Sequence, residues 1–204
     1  FAMVCQSAED AAYRDADVVV SMLPRVHEHM AEHGLDLTKL VIVPNGISSA
    51  PFKRDSAEDI AALRSKLGLE GRKLAGMFGR LAAWKGQHVF IRAVAAVPGL
   101  HAVIVGGALF GEQVYEEELK LLCAELGVRD RVHFLGFRRD IPRLMRMMTL
   151  IVHASTAAEP FGRVLVEAML AGSPLIASRA GGALEIVEDG VTGQVVVSTD
   201  LRLF

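Results

Sequence analysis

Short apolar runs alternate along this chain with amphipathic stretches. The runs are "DVVVSM" (17–22), "LVIVPN" (40–45), "KLAGMFG" (73–79), "HAVIVGG" (101–107), "RVHFLG" (131–136), "LIVHAS" (150–155), "PLIASR" (174–179) and "GQVVVS" (193–198). Several are rich in β-branched residues and apolar almost throughout, as strands buried on both faces must be. The stretches 86–97, 113–127, 139–148, 163–171 and 181–188 read as helices. A repeating strand–helix order implies a parallel sheet with right-handed crossovers. Residues 73–198 supply about six strands, so the expected fold is α/β: a Rossmann-like doubly wound parallel sheet with helices on both faces.

Residues 1–40 follow a different pattern, with one strand and one helix-like segment, "PRVHEHMAEHGLD", closed by Gly34. One strand and one helix cannot cover both faces of a sheet, so this piece is expected to belong to a preceding domain or to a crossing segment. "PNG" (44–46) is a turn signal and sets the boundary, giving 1–44 and 45–204 as the two divisions. Asp55 or Ser56 is the candidate cap for the next helix.

Composition narrows the function classes. The chain has 204 residues with 51% hydrophobic and 23% charged content, which is globular rather than disordered. Its formal net charge of −2, without a basic block, argues against nucleic-acid or membrane-surface partners. The run 93–111 has no Asp, Glu, Lys or Arg, but its proline and four glycines make it helix end, turn, strand and loop rather than a membrane span. Cys5 and Cys123 fit neither a disulfide framework nor a zinc pattern and read as reduced thiols of a cytoplasmic protein. The chain opens at "FAMVCQSAED" without a signal-peptide pattern and stops at "STDLRLF", so both ends are expected to be cuts in a longer protein.

The candidate chemistry lies in loops that follow strands, the edge at which open α/β sheets bind ligands. In "GRLAAWKG" (79–86), Gly79 lets the backbone turn, Arg80 and Lys85 bring two cations to one loop, and Gly86 opens a helix with free N–H groups. That combination suits a phosphate or diphosphate; two solvated charges are the plain alternative. "VGGALFGEQ" (105–113) lacks the G-x-G-x-x-G spacing, and no acidic residue closes the following strand to hold a ribose. The dinucleotide fingerprint and the P-loop are therefore both missing. In "FLGFRRDI" (134–141), Phe137 and Arg138 flank a possible base site, or else form a solvated helix start with Arg139 and Asp140.

"EPFGRVLVEAML" (159–170) holds two glutamates eight positions apart. Pro160 keeps Glu159 out of helical geometry, in the loop at the sheet edge. Phe161 and Gly162 offer backbone N–H groups at a helix start, where an anion is stabilised. Glu167 lies one turn inside, with Val164, Leu170 and Ala171 as apolar neighbours. A carboxylate on such a face needs a partner. Arg163, four residues earlier, is one; ligand hydroxyls are the other. The spaced "HEHMAEH" gives His29, Glu32 and His33 the order of an inverted zinc-protease motif, but it closes at once in Gly34 and reads as a solvated helix end.

Taken together, "VIVPNGI", "GRLAAWKG", "VHFLGFRRDI", "HASTAAEPFGRVLVEAMLAGSPLIAS" and "GGALEIVEDGVTG" resemble the carboxyl-terminal domain of the family-4 retaining glycosyltransferases (glycosyl transferases group 1). The resemblance covers about residues 40–200 and implies one half of a GT-B fold, with 1–44 as the tail of an amino-terminal acceptor domain. It implies that Arg80 and Lys85 hold the donor diphosphate and stabilise the leaving group without a metal or cofactor. It further implies that Glu159 bonds the donor sugar, that Phe161, Gly162 and Val164 touch sugar and phosphate, that Glu167 accepts from the ribose, and that Phe137 and Arg138 border the base. The implied partners are a UDP-, GDP- or ADP-sugar and an acceptor saccharide or lipid, the latter, with any association with the inner membrane, through the missing domain. Two carboxylates also suggest a glycosidase, yet Glu167 lies beyond the phosphate-binding helix start and does not flank the same bond. A non-catalytic nucleotide-sugar module and a GT-B epimerase or phosphorylase are the rivals. No proton-abstracting histidine and carboxylate set, and no lysine placed for pyridoxal phosphate, can be picked out for the last two. This chain alone is expected to bind donor without transferring sugar.

Overall fold

The computed structural model describes residues 14–21, 26–52, 55–109 and 111–197, with the side chains of Val26, Glu28 and His29 left aside. The expectations for Cys5, for Phe110 in the glycine loop, for the His29 of the H-x-x-E-H order and for the terminal "STDLRLF" lie outside the described residues. The chain forms two compact units, residues 1–46 and 47–204.

The first unit pairs β1 (Val19–Ser21) in parallel with β2 (Leu40–Ile42) and adds helix α1 (Val26–Glu32). Val19, Met30 and Leu35 make its small core.

The second unit is built on a six-stranded sheet. Its strands are β3 (Lys73–Phe78), β4 (Leu100–Val105), β5 (Val132–Gly136), β6 (Leu150–His153), β7 (Leu175–Ser178) and β8 (Gln194–Val196). All pairings are parallel, in the order β5-β4-β3-β6-β7-β8. The helices are α2 (Ala57–Lys66), α3 (Gln87–Ala96), α4 (Gln113–Glu125), α5 (Ile141–Arg146), α6 (Arg163–Ala171) and α7 (Ala183–Ile186). Every predicted strand of 73–198 is present, and α3 to α7 each fall inside the stretch assigned to them.

Strand alternation sorts the core into two layers. Leu74 and Phe78 of β3, Val103 and Val105 of β4, and Ile151 of β6 face Leu144 and Met145 of α5, Leu165 and Ala168 of α6 and the α2 side chains Ile60 and Leu63. Ala75 and Met77, Ala102 and Ile104, and Val152 face the other way, onto Phe90, Ile91 and Val94 of α3 and Leu119, Leu122 and Cys123 of α4. Successive residues of one strand thus serve opposite layers, which is why the strands read as unbroken apolar runs. Each of the larger buried side chains contributes about 1.5–3 kcal/mol. Cys123 is a free, buried thiol inside the second layer.

Ser56 is the cap of α2: its Oγ accepts from Asp59 N (3.1 Å) while Asp59 Oδ2 accepts from Ser56 N (3.2 Å), a reciprocal capping box. Asp55, the other candidate, is instead bound by Arg143 (2.7 Å) and Arg146 (2.8 Å) of α5. Those contacts tie the segment before α2 to the sheet's first helical layer.

The strand order matters most for function. From β3 the chain moves outward through β4 to β5, then returns to the other side of β3 as β6 and continues to β8. Loops leaving β3 and β6 therefore diverge, and a crevice opens at their carboxyl ends.

Candidate functional site

That crevice is occupied by a pocket of about 480 Å³, lined from four strand-end loops and α6. Gly79, Arg80 and Lys85 come from the loop after β3, Gly106, Gly107 and Leu109 from the loop after β4, Phe137 and Arg138 from the loop after β5, and Glu159 from the loop after β6. Arg163, Val164 and Glu167 of α6 close it. Eight of the ten residues singled out in the sequence line one cavity. Phe161 and Gly162 do not; they lie just before α6, whose N-cap is Gly162 with no side-chain hydrogen bond to the free helix end.

The centre of the site is an ion pair across the crevice. Lys85 Nζ donates to Glu159 Oε1 at 2.7 Å, with both side chains largely buried (16% and 14% exposed). Lys85 reaches this point because residues 83–85 form a 3-10 turn that ends at Gly86. Gly86 has φ +82°, and a Cβ there would lie 2.0 Å from the carbonyl oxygen of Ala154, so only glycine lets the β3 loop approach the β6 loop this closely. Thr156 N donates to Trp84 O (2.8 Å) beside it. The centroid of the Trp84 ring lies 4.3 Å from Lys85 Nζ and 5.8 Å from the Arg80 guanidinium carbon.

Glu159 has further donors. His153 Nε2 lies 2.7 Å from its Oε2, and Ser155 Oγ donates to the same oxygen at 3.2 Å. Burial alone pushes this carboxyl up; the hydrogen bonds from His153 and Lys85, with their charges, outweigh it and bring the pKa from 4.5 down to about 2. Glu159 is thus a carboxylate at neutral pH: it accepts hydrogen bonds and has no proton to give as an acid. Its backbone is clamped too. Gly182 N donates to Glu159 O (2.8 Å), and a Cβ on Gly181 (φ +57°) would lie 2.3 Å from that same oxygen. A Cβ on Gly182 would meet Phe161 O at 2.4 Å, so the "GG" of "GGALE" is the seat on which residues 159–161 rest.

Arg80 is braced from two sides. Gln87 Nε2 donates to its carbonyl (2.9 Å), and its guanidinium pairs with Glu112 at 3.2 Å. Arg138 makes a two-pronged pair with Asp140 at 2.8 and 2.6 Å, which lowers the pKa of Asp140 and raises that of Arg138. Phe137 stands at the rim, 78% exposed. Glu167 is bound by Arg163 Nε at 2.7 Å, so of its two candidate partners the arginine is the one in place. Glu112, His153 and Ser155 were not singled out in the sequence. Histidine in an otherwise apolar strand is the signal that would have found the last two, since a buried imidazole needs partners. Among the described residues no group of three His, Cys, Asp or Glu is placed to hold a metal ion, and no helix is long and apolar enough to cross a membrane.

A pocket at the switch point of a parallel sheet, with cations facing a fixed carboxylate, defines a ligand-binding α/β domain. The chain belongs to the glycosyl transferases group 1 family, whose model matches residues 59–202. It is 32% identical over 197 residues to the D-inositol 3-phosphate glycosyltransferase of Mycobacterium sp. (strain KMS), covering 95% of this chain and 44% of that protein. It is 37% identical over 142 residues to spore coat protein SA of Bacillus subtilis (strain 168), covering 66% of this chain and 37% of that protein. Among solved structures, Anabaena Alr3699/HepE in complex with UDP-glucose matches with a TM-score of 0.93 and 41% identity, over 100% of this chain and 56% of that one. The chain therefore spans less than half the length of these two curated relatives. The sheet and its structural neighbours make the second unit one half of a GT-B fold, as the sequence motifs implied.

Proposed function

We infer that this chain is the donor-binding part of a retaining glycosyltransferase, which moves a sugar from a nucleotide-diphosphate sugar to an acceptor hydroxyl. The observation that carries this reading is the Lys85–Glu159 pair in a pocket that Glu167 also lines. The pocket then takes a ligand with its sugar at Glu159, its diphosphate at the cations and its ribose at Glu167. Glu159, held as an anion, accepts from sugar hydroxyls. Lys85 and Arg80 face the diphosphate with the free N–H groups of α6, Glu167 exchanges Arg163 for the ribose hydroxyls, and Phe137 with Arg138 borders the base. A uridine nucleotide is the first candidate, because HepE, 41% identical, was solved with UDP-glucose.

In the transfer step the acceptor oxygen bonds to the anomeric carbon on the face that the diphosphate leaves. The electron pair of the breaking C–O bond goes to the diphosphate, whose charge Lys85 and Arg80 stabilise. The acceptor proton passes to a donor phosphate oxygen. No step here calls on a metal or cofactor. Residues 1–44 belong, on this reading, to the acceptor domain of a longer cytoplasmic protein, and this chain alone binds donor without transferring it.

Calorimetric titration of the chain with UDP, GDP, ADP and their hexose conjugates tests the reading. Binding of at least one sugar nucleotide is expected; silence from all of them at millimolar concentration would overturn it.

A further inference from the structure

His153 plays no part in the donor reading, and its surroundings ask for an explanation. It closes β6 and is 4% exposed. A buried imidazole loses several hydrogen bonds to water, so both ring nitrogens need partners. Nδ1 lies 3.2 Å from Ser178 Oγ on the neighbouring β7. Nε2 lies 2.7 Å from Glu159 Oε2 and 3.1 Å from Ser155 Oγ. Ser155 and Ser178 are each 1% exposed. A continuous polar chain, Ser178–His153–Glu159–Lys85, thus runs from the interior of the sheet to the wall of the pocket.

The direction of the chain follows from its acidic member. Glu159 is an anion and only accepts, so the Nε2 of His153 must carry a proton and donate. The Ser178 hydroxyl then completes Nδ1 as its hydrogen-bond partner. Lys85 meanwhile donates to the other carboxylate oxygen. Each oxygen is therefore held from a different strand end, and two fixed points set the plane of the carboxylate.

The arrangement has a purpose that Lys85 alone cannot serve. A carboxylate beside a single lysine would rotate to bring both oxygens toward it, spending its lone pairs on the cation and neutralising the charge a diphosphate needs. Donors on Oε2 prevent that rotation, and of the two there His153 Nε2 is the closer, at 2.7 Å against 3.2 Å for Ser155 Oγ. We propose that His153 is a positioning residue: through its Nε2–H it fixes the Glu159 carboxylate so that the remaining lone pairs face the pocket and receive the hydroxyls of the donor sugar. The proposal rests on the donor reading given above, but it concerns the sugar end of the site only.

Glutamine places an amide N–H near the position of imidazole Nε2, whereas asparagine reaches only that of Nδ1. Wild type, His153→Gln and His153→Asn are titrated with UDP and with UDP-glucose, and the ratio of the two dissociation constants is compared. In His153→Asn the ratio should shift about tenfold against UDP-glucose, with UDP affinity held within about twofold; His153→Gln should recover most of the loss. An unchanged ratio in His153→Asn overturns the proposal, as does an equal loss for UDP and UDP-glucose, which marks a merely structural role. A glutamine variant no better than asparagine also counts against it. Should the variants fail to fold, long-range 15N–1H NMR of the wild type decides: a proton on Nε2 of His153 at neutral pH is expected, and an unprotonated Nε2 overturns the proposal. A wild type that binds neither ligand overturns the donor reading itself, whereas one that binds both while His153→Asn keeps its ratio overturns only the positioning role.

Discussion

Glu159 and Glu167 line the same pocket and are similarly sheltered, at 14% and 19% exposure, yet they are held in opposite ways. Glu159 receives Lys85, His153 and Ser155, one of them from a loop 74 residues away in sequence. Glu167 receives Arg163, from its own helix one turn earlier, and that arginine is 74% exposed. Burial does not separate the two; the number and origin of their donors does. Glu159 is organised before any ligand arrives. Glu167 is held by a pair worth a few tenths of a kcal/mol, which a ligand can replace at little cost.

The largest effect that would break this contrast is on acid stability. The pKa of Glu159 is depressed from 4.5 to about 2, so its contribution to folding is fully present above 4.5 and is lost as pH falls through that interval toward 2. The contribution is on the order of 3 kcal/mol. Urea unfolding over that range should show wild type losing most of this stability while Glu159→Gln, already without it, changes much less. Parallel losses in both proteins would mean that the network does not hold the carboxylate. Next comes Lys85→Ala, which should weaken nucleoside diphosphates by about 2–3 kcal/mol and nucleosides hardly at all. Equal losses in calorimetry would contradict a phosphate role. Glu167→Ala should cost nucleotide binding about 1–3 kcal/mol and leave the melting temperature in place; unfolding instead would make it a structural residue. The smallest effect belongs to Arg163→Ala. It should change nucleotide affinity by no more than about 0.5 kcal/mol, because it removes only a solvent-exposed competitor for Glu167. A large loss there would show that Arg163 itself grips the ligand.

Most of the architecture could be read from the chain because it is written in local pattern. Runs such as "HAVIVGG" must be strands covered twice, and the helices between them follow. Strand order is not local: nothing near Leu150 says that β6 will lie beside β3, and that adjacency is what makes the pocket. The same division applies to the site. Arg80, Lys85, Glu159 and Glu167 were legible one at a time, from charge set in loop or apolar context. The Lys85–Glu159 contact was not, since only the sheet order joins those loops. The Arg163–Glu167 pair was among the sequence alternatives because four residues on a helix is a local distance. His153 went unnoticed although a lone imidazole in "LIVHAS" requires partners; those partners, Ser178 and Glu159, come from another strand and a loop.

The seat formed by Gly181 and Gly182 has a consequence for how such domains can be recombined. With Glu159 and Phe161 resting on bare backbone at 2.3 and 2.4 Å from where a Cβ would stand, the two segments are a lock and its keyhole. A chimaera that takes residues 154–162 from this chain has to keep glycines at the positions of Gly181 and Gly182. Inherited together, the two segments keep the fit of Glu159 and Phe161 against the glycine turn.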